Sequence, residues 1–126
     1  MRRLLPLLML GLLTGTAHAQ SSPTYVVFFQ QWSAALDNAA QGVIKRAAGW
    51  AKSHPQTPIQ VTGAADTTGS QRANELLSQL RAQMVVDQLA ADGVNGQRIS
   101  QSGVGAVPSA LSLQQARRVQ ISFPGS

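Results

Sequence analysis

Residues 63–82 read GAADTTGSQRANELLSQLRA. The segment before them, Pro58 to Thr62, alternates apolar side chains at Ile59 and Val61, the period-two pattern of a strand. A polar turn bounded by Gly63 and Gly69 follows and carries Asp66. A helix is predicted from Ser70 to Ala91, with Thr67 or Thr68 as its N-cap and Asp92-Gly93 as its stop. Positions 74, 78, 81, 85 and 89 step by four, three, four and four, so Asn, Ser, Arg, Val and Leu share one face. That face is polar for two turns and apolar afterwards. The stretch therefore reads as strand, acidic turn, and a helix with polar groups on a packing face.

On the N-terminal side, Tyr25-Val26-Val27-Phe28-Phe29 is an unbroken run of β-formers, which predicts a central strand covered on both faces. Gln30-Gln31-Trp32-Ser33 closes it. Asp37 is placed to cap a first helix, whose apolar stripe would be Leu36, Ala40, Val43, Ala47 and Trp50. Pro55 ends that helix, because proline disfavours helix in the residue before it. On the C-terminal side, 98–105 is a weaker strand, 106–113 a loop and 116–123 a last strand. In the last strand Val119, Ile121 and Phe123 point one way. The order is β-α-β-α-β-β. It predicts an α+β domain, a mixed sheet carrying two packed helices, with the closing strand pair antiparallel.

The chain has 126 residues, a formal net charge of +5 and no cysteine. Met1-Arg2-Arg3, the apolar run from Leu4 to Thr16 and the small-x-small motif Ala17-His18-Ala19 have the pattern of a cleaved secretory signal. Residues 1–19 are thus expected to be a signal peptide and 20–126 one exported domain with its core over 24–123. The apolar run is shorter than the ~20 residues a membrane span needs, and no span is expected in the mature chain. Loss of Arg2 and Arg3 lowers the charge from +5 to +3. The remaining basic residues are scattered, whereas a nucleic-acid face wants a clustered stripe, so no nucleic-acid partner is expected. Without cysteine there is no thiolate metal site, and His54 is the one histidine of the mature chain. Neither a metal nor any other cofactor is expected.

Asp66 and Arg81 are the one place where opposite charges converge, at the end of a strand and beside a helix N-terminus, where backbone N–H groups also favour anions. Two readings fit that spacing. One is a structural Asp66–Arg81 ion pair with Asn74 closing the turn. The other is a site for a zwitterion, Asp66 taking an ammonium and Arg81 a carboxylate in a two-bond fork. Catalysis is not expected: Ser78 and the threonines lack an adjacent base, and no second acid stands near Asp66 or Glu75. No catalytic residue is assigned.

The run VTGAADTTGSQRANELLSQLRAQMVVDQL, with ISQSGVGAVPSA and ARRVQI later, resembles the OmpA-like C-terminal domain, the peptidoglycan-associated module also found in Pal lipoproteins and MotB proteins. Gly63, Asp66, Gly69, Asn74, Leu77, Ser78, Arg81 and Ala82 match the family pattern G-H-T-D-x-x-G-x-x-x-x-N-x-x-L-S-x-x-R-A at its spacing. The resemblance spans roughly Tyr25 to Phe123. It implies non-catalytic binding of peptidoglycan through the diaminopimelate of the stem peptide, with ligand contacts at Asp66, Arg81, Asn74, Thr67 and Arg117. It implies a location in the periplasm, associated with the outer membrane, and envelope proteins as further partners. Three positions depart from the pattern. Ala64-Ala65 replace His-Thr, Ala116 replaces the Asn of N-R-R-V, and bulky Trp32 stands where many members carry short polar residues. The alternative is a drifted module serving as a periplasmic protein-interaction or scaffold domain.

Overall fold

The structure is a computed structural model that describes residues 21–107 and 112–125. The expected signal peptide and part of the expected 106–113 loop lie outside the described residues. Four strands and three α-helices follow in order: β1 (Tyr25–Phe28), α1 (Asn38–Ser53), β2 (Ile59–Ala65), α2 (Gln71–Ala91), β3 (Ile99–Ala106), α3 (Leu113–Ala116) and β4 (Arg118–Ser122). A 3-10 turn, Gly96–Arg98, leads into β3. The strands form one mixed sheet in the order β1-β4-β2-β3. This is the expected α+β architecture, with one added turn of helix before β4.

The strand pairing corrects two expectations. β4 lies between β1 and β2, antiparallel to both, and does not pair with β3. β3 instead runs parallel to β2 across the α2 crossover. β1 is an edge strand, not a central one, and Phe28 is 44 % exposed. Sequential closeness suggested a β3–β4 hairpin. The buried sites of β4, Val119 and Ile121, are opposite Val27 and Tyr25 on one side and Gly63 and Val61 on the other. Only the central slot gives Val119 and Ile121 apolar neighbours on both flanks.

β4 and the first four residues of β2 alternate between buried and half-buried, so there one sheet face is packed and the other partly open, whereas Gly63, Ala64 and Ala65 at the end of β2 are all buried. Val27, Ile59, Val61, Val119 and Ile121 form a single cluster with Ala40, Ile44, Ala47, Ala48 and Ala51 of α1 and Ala82, Val85 and Leu89 of α2. Asp37 caps α1, its carboxylate accepting from the Ala40 N–H at 2.8 Å. The buried stripe of α1 is rotated from the expected one: Ile44, Ala48 and Ala51 are inside, while Val43 and Trp50 are half-buried. The end of α1 is held by Arg98, which donates to the carbonyls of Ala51, His54 and Thr57.

Helix α2 is capped by Ser70, whose hydroxyl accepts from the Ala73 N–H, and not by a threonine. Its buried residues are Asn74, Ser78, Arg81, Ala82, Val85 and Leu89. The face identified from spacing is thus the face against the sheet, while Leu76 and Leu80 are about half exposed. Polar residues tolerate that burial because α2 lies very close to β2 and β3. A methyl placed on Gly63 would stand 2.0 Å from the Ser78 carbonyl oxygen, and one on Gly103 would stand 2.5 Å from the Gln79 nitrogen. In that gap the Ser78 hydroxyl donates to Glu75 O and accepts from the Gly105 N–H, both at 2.8 Å.

Candidate functional site

Asp66 stands just past the end of β2 and is 4 % exposed. Its Oδ1 accepts from the Thr68 N–H at 2.9 Å and from the Thr68 hydroxyl. Its Oδ2 accepts from Arg117 Nη1 at 3.0 Å. Burial pushes the carboxyl up, but the bonds from Thr68 and Arg117 outweigh it and hold the group below the usual carboxylate range. The ion pair of Asp66 is therefore with Arg117, and the Asp66–Arg81 pair of the structural reading does not form. Arg117 ends α3 and precedes β4. Its Nε also donates to Phe29 O at 3.3 Å, and its side chain keeps 18 % exposure.

Arg81 is fully buried. Its three nitrogens each reach a main-chain carbonyl: Nε donates to Ser33 O at 2.8 Å, Nη1 to Ala64 O at 3.0 Å and Nη2 to Gln30 O at 3.0 Å. The guanidinium carbon lies 5.3 Å from the centre of the Phe29 ring, within cation–π range. Burial lowers the Arg81 pKa to about 10, Asp66 opposing the shift and Arg117 adding to it. The group stays charged at neutral pH. Asp66, Arg81 and Arg117 thus form one electrostatic cluster with a surplus of one positive charge.

The remaining expected residues separate. Asn74 is 2 % exposed on the first turns of α2, and its N–H bonds Ser70 O at 3.0 Å. Thr67 is exposed, whereas Thr68 makes the bonds to Asp66. Thr68, by sequence only a candidate N-cap, is not among the expected site residues; its place two after an aspartate, where an Asx-type turn closes, is the signal that finds it. Ala64 and Ala65 are buried and contribute carbonyls, to Arg81 and to the Val107 N–H. Ala116 is buried in α3.

Trp32 adopts φ +55, and the edge of its six-membered ring fills the space where Gly69 lacks a side chain. Gly69 itself has φ +86, so both its backbone and its neighbour require glycine. The ring therefore bridges the β1–α1 loop and the β2–α2 turn that carries Asp66, and is half exposed. A separate groove of about 660 Å³ runs between α2 and edge strand β3, lined by Leu76, Gln79, Leu80, Gln83 and Gln101 among others. It holds no charged side chain and lies apart from the cluster. Among the described residues no group of three His, Asp or Glu could hold a metal ion. Among them, too, no helix is long and apolar enough to cross a membrane.

Residues 28–120 match the profile of the OmpA family. The chain belongs to the OmpA family. Its fold is the OmpA-like fold, and it is a non-catalytic member. The chain is similar to the probable lipoprotein YiaD of Escherichia coli K12, 34% identical over 103 residues that cover 77% of this chain and 47% of that protein. It is 34% identical over 96 residues to the peptidoglycan-associated lipoprotein of Brucella melitensis, covering 71% of this chain and 57% of that one. It is 36% identical over 81 residues to the peptidoglycan-binding protein ArfA of Mycobacterium tuberculosis, covering 64% of this chain and 25% of that protein. The matches thus span from a quarter to somewhat over half of these relatives. Among solved structures, the peptidoglycan-associated lipoprotein of Burkholderia pseudomallei superposes with TM-score 0.74 at 28% identity, over 79% of this chain and 89% of that one. The C-terminal domain of Helicobacter pylori MotB superposes with TM-score 0.69 at 26% identity, over 79% and 83%.

Proposed function

We propose that this OmpA-family chain binds peptidoglycan in the cell envelope, on the periplasmic side, through the diaminopimelate of the stem peptide. Asp66 takes the ligand's ammonium. Arg81 takes its carboxylate, with Arg117 adding positive charge and Asn74 and Thr67 at the margin. The observation that carries this reading is the cluster of Asp66, Arg81 and Arg117 at the end of β2 beside the start of α2. A diaminopimelate head group bears one ammonium and one carboxylate, and it fits an acid set among two guanidinium groups. The peptidoglycan-binding and peptidoglycan-associated relatives support the ligand class.

The test is co-sedimentation of the purified protein with isolated sacculi, wild type against Asp66→Asn and Arg117→Ala. Both variants are expected to lose most of the pelleted fraction while keeping a folded circular-dichroism spectrum. Equal pelleting of all three proteins would sink the proposal. One observation favours a second reading, a scaffold module that keeps the charges for structure alone. Both oxygens of Asp66 and all three nitrogens of Arg81 already have partners within the chain. On that reading Asp66→Asn lowers the melting temperature and leaves pelleting unchanged.

A further inference from the structure

The β1–α1 loop stands where a ligand carboxylate would have to stand. The Nε–Nη2 edge of a guanidinium is one that can hold a carboxylate in a two-bond fork. In Arg81 that edge is filled by the chain itself, Nε by Ser33 O and Nη2 by Gln30 O. Two residues separate those carbonyls, Gln31 and Trp32. Trp32 is held at φ +55, a conformation disfavoured for any residue with a Cβ. Its ring reaches across to Gly69, leaving no space for a Cβ there. The loop is thus held in three ways: across its own turn by the Ser33 N–H donating to Gln30 O at 3.1 Å, from below by Arg81, and from the side by the indole. Beneath it Asp66 and Arg81 are enclosed. Backbone strain persists only where surrounding contacts impose it, and it concentrates at sites that change shape in use.

We infer that the Gln30–Ser33 loop is an intramolecular competitor for the ligand carboxylate at Arg81, and that Trp32 sets the site's affinity by holding that loop shut. This rests on the proposed function, since the competing group is the carboxylate of the zwitterion. Binding is then an exchange. The ligand carboxylate takes over Nε and Nη2 of Arg81 while the carbonyls of Gln30 and Ser33 turn outward. The apparent affinity is the intrinsic affinity reduced by the fraction of molecules with the loop open. Strain in Trp32 favours opening, and the indole–Gly69 contact opposes it. Trp32→Ala keeps the strained Cβ at φ +55 and removes only the indole that opposes opening, so the balance moves toward the open loop.

The experiment is titration of wild type and Trp32→Ala with a soluble muropeptide ending in meso-diaminopimelate, by calorimetry and by stopped-flow kinetics. Trp32→Ala is expected to bind about tenfold more tightly, the factor by which a one-in-ten open population weakens apparent affinity. The gain is expected in the association rate, with dissociation unchanged. Binding by the variant that equals or falls below wild type overturns the inference. So does faster dissociation, which would make the indole a ligand contact. If neither protein binds, the proposed function fails and the competitor with it. If wild type binds and Trp32→Ala gains nothing, the competitor alone fails. The ring is half exposed, so the variant is expected to fold. Should its melting curve collapse, Trp32→Phe shortens the brace to Gly69 and is expected to move the affinity in the same direction.

Discussion

Replacing Arg81 separates what this side chain does for the fold from what it does for a ligand. The guanidinium is fully buried and ties three segments together: the β1–α1 loop at Gln30 and Ser33, the end of β2 at Ala64, and α2 itself. A hydrogen bond from a charged donor contributes about 1.5–3 kcal/mol, and a buried acceptor left unpaired costs about 1–3 kcal/mol. Only the bond to Ala64 O is fully buried; the carbonyls of Gln30 and Ser33 can turn to water. One full loss, two partial losses and the cavity left by the side chain act together. Removal of a desolvated charge offsets part of this. The net expectation for Arg81→Ala is about 3–4 kcal/mol of lost stability, within the usual range for large-to-small core changes. At about 4–8 °C per kcal/mol for a domain near 100 residues, the melting temperature is expected to fall by more than about 10 °C. Arg81→Lys is expected to lose more than half as much, because one ammonium cannot reach three carbonyls in the guanidinium plane. Thermal unfolding followed by circular dichroism measures both. A melting temperature within about 2 °C of wild type for Arg81→Ala would refute the reasoning, since three carbonyls would then need no partner.

Two further predictions follow from the packing and the charge. Gly63→Ala places a methyl 2.0 Å from the Ser78 carbonyl oxygen, so α2 must shift off the sheet. A loss above about 3 kcal/mol is expected by urea denaturation, at the upper end for overpacked cores, whereas Gly49→Ala, which meets nothing within 4 Å, should be neutral or stabilising. The pH dependence turns on Asp66, whose carboxyl in the folded chain lies below its ordinary value. A lowered acid stabilises the fold at pH above its unfolded value, near 3.9, and that contribution is lost as pH falls through the folded value. The stability gap between wild type and Asp66→Asn is therefore expected to be constant from pH 5 to 7 and to shrink below about pH 4. A gap unchanged down to pH 2 would contradict the Thr68 and Arg117 bonds as the cause.

The sequence by itself determined the order of the four strands and the two long helices, though not the short α3 before β4, together with the cap of α1 and the face of α2 that carries Asn74, Ser78 and Arg81. These are local properties: helical spacing, capping chemistry and strand alternation each act within a few residues. It also marked Asp66 and Arg81 as neighbours, since one ends the strand that the other's helix covers. Tertiary structure decided what each of them touches. Asp66 pairs with Arg117, 51 residues away, and Arg81 serves carbonyls 48 and 51 residues away. It decided that β4 lies between β1 and β2, because burial of Val119 and Ile121 rewards a central slot that chain order does not reveal. It decided, too, that Trp32 lies against Gly69. Period and propensity say which way a side chain points along its own element. Which partner waits there depends on how distant elements pack.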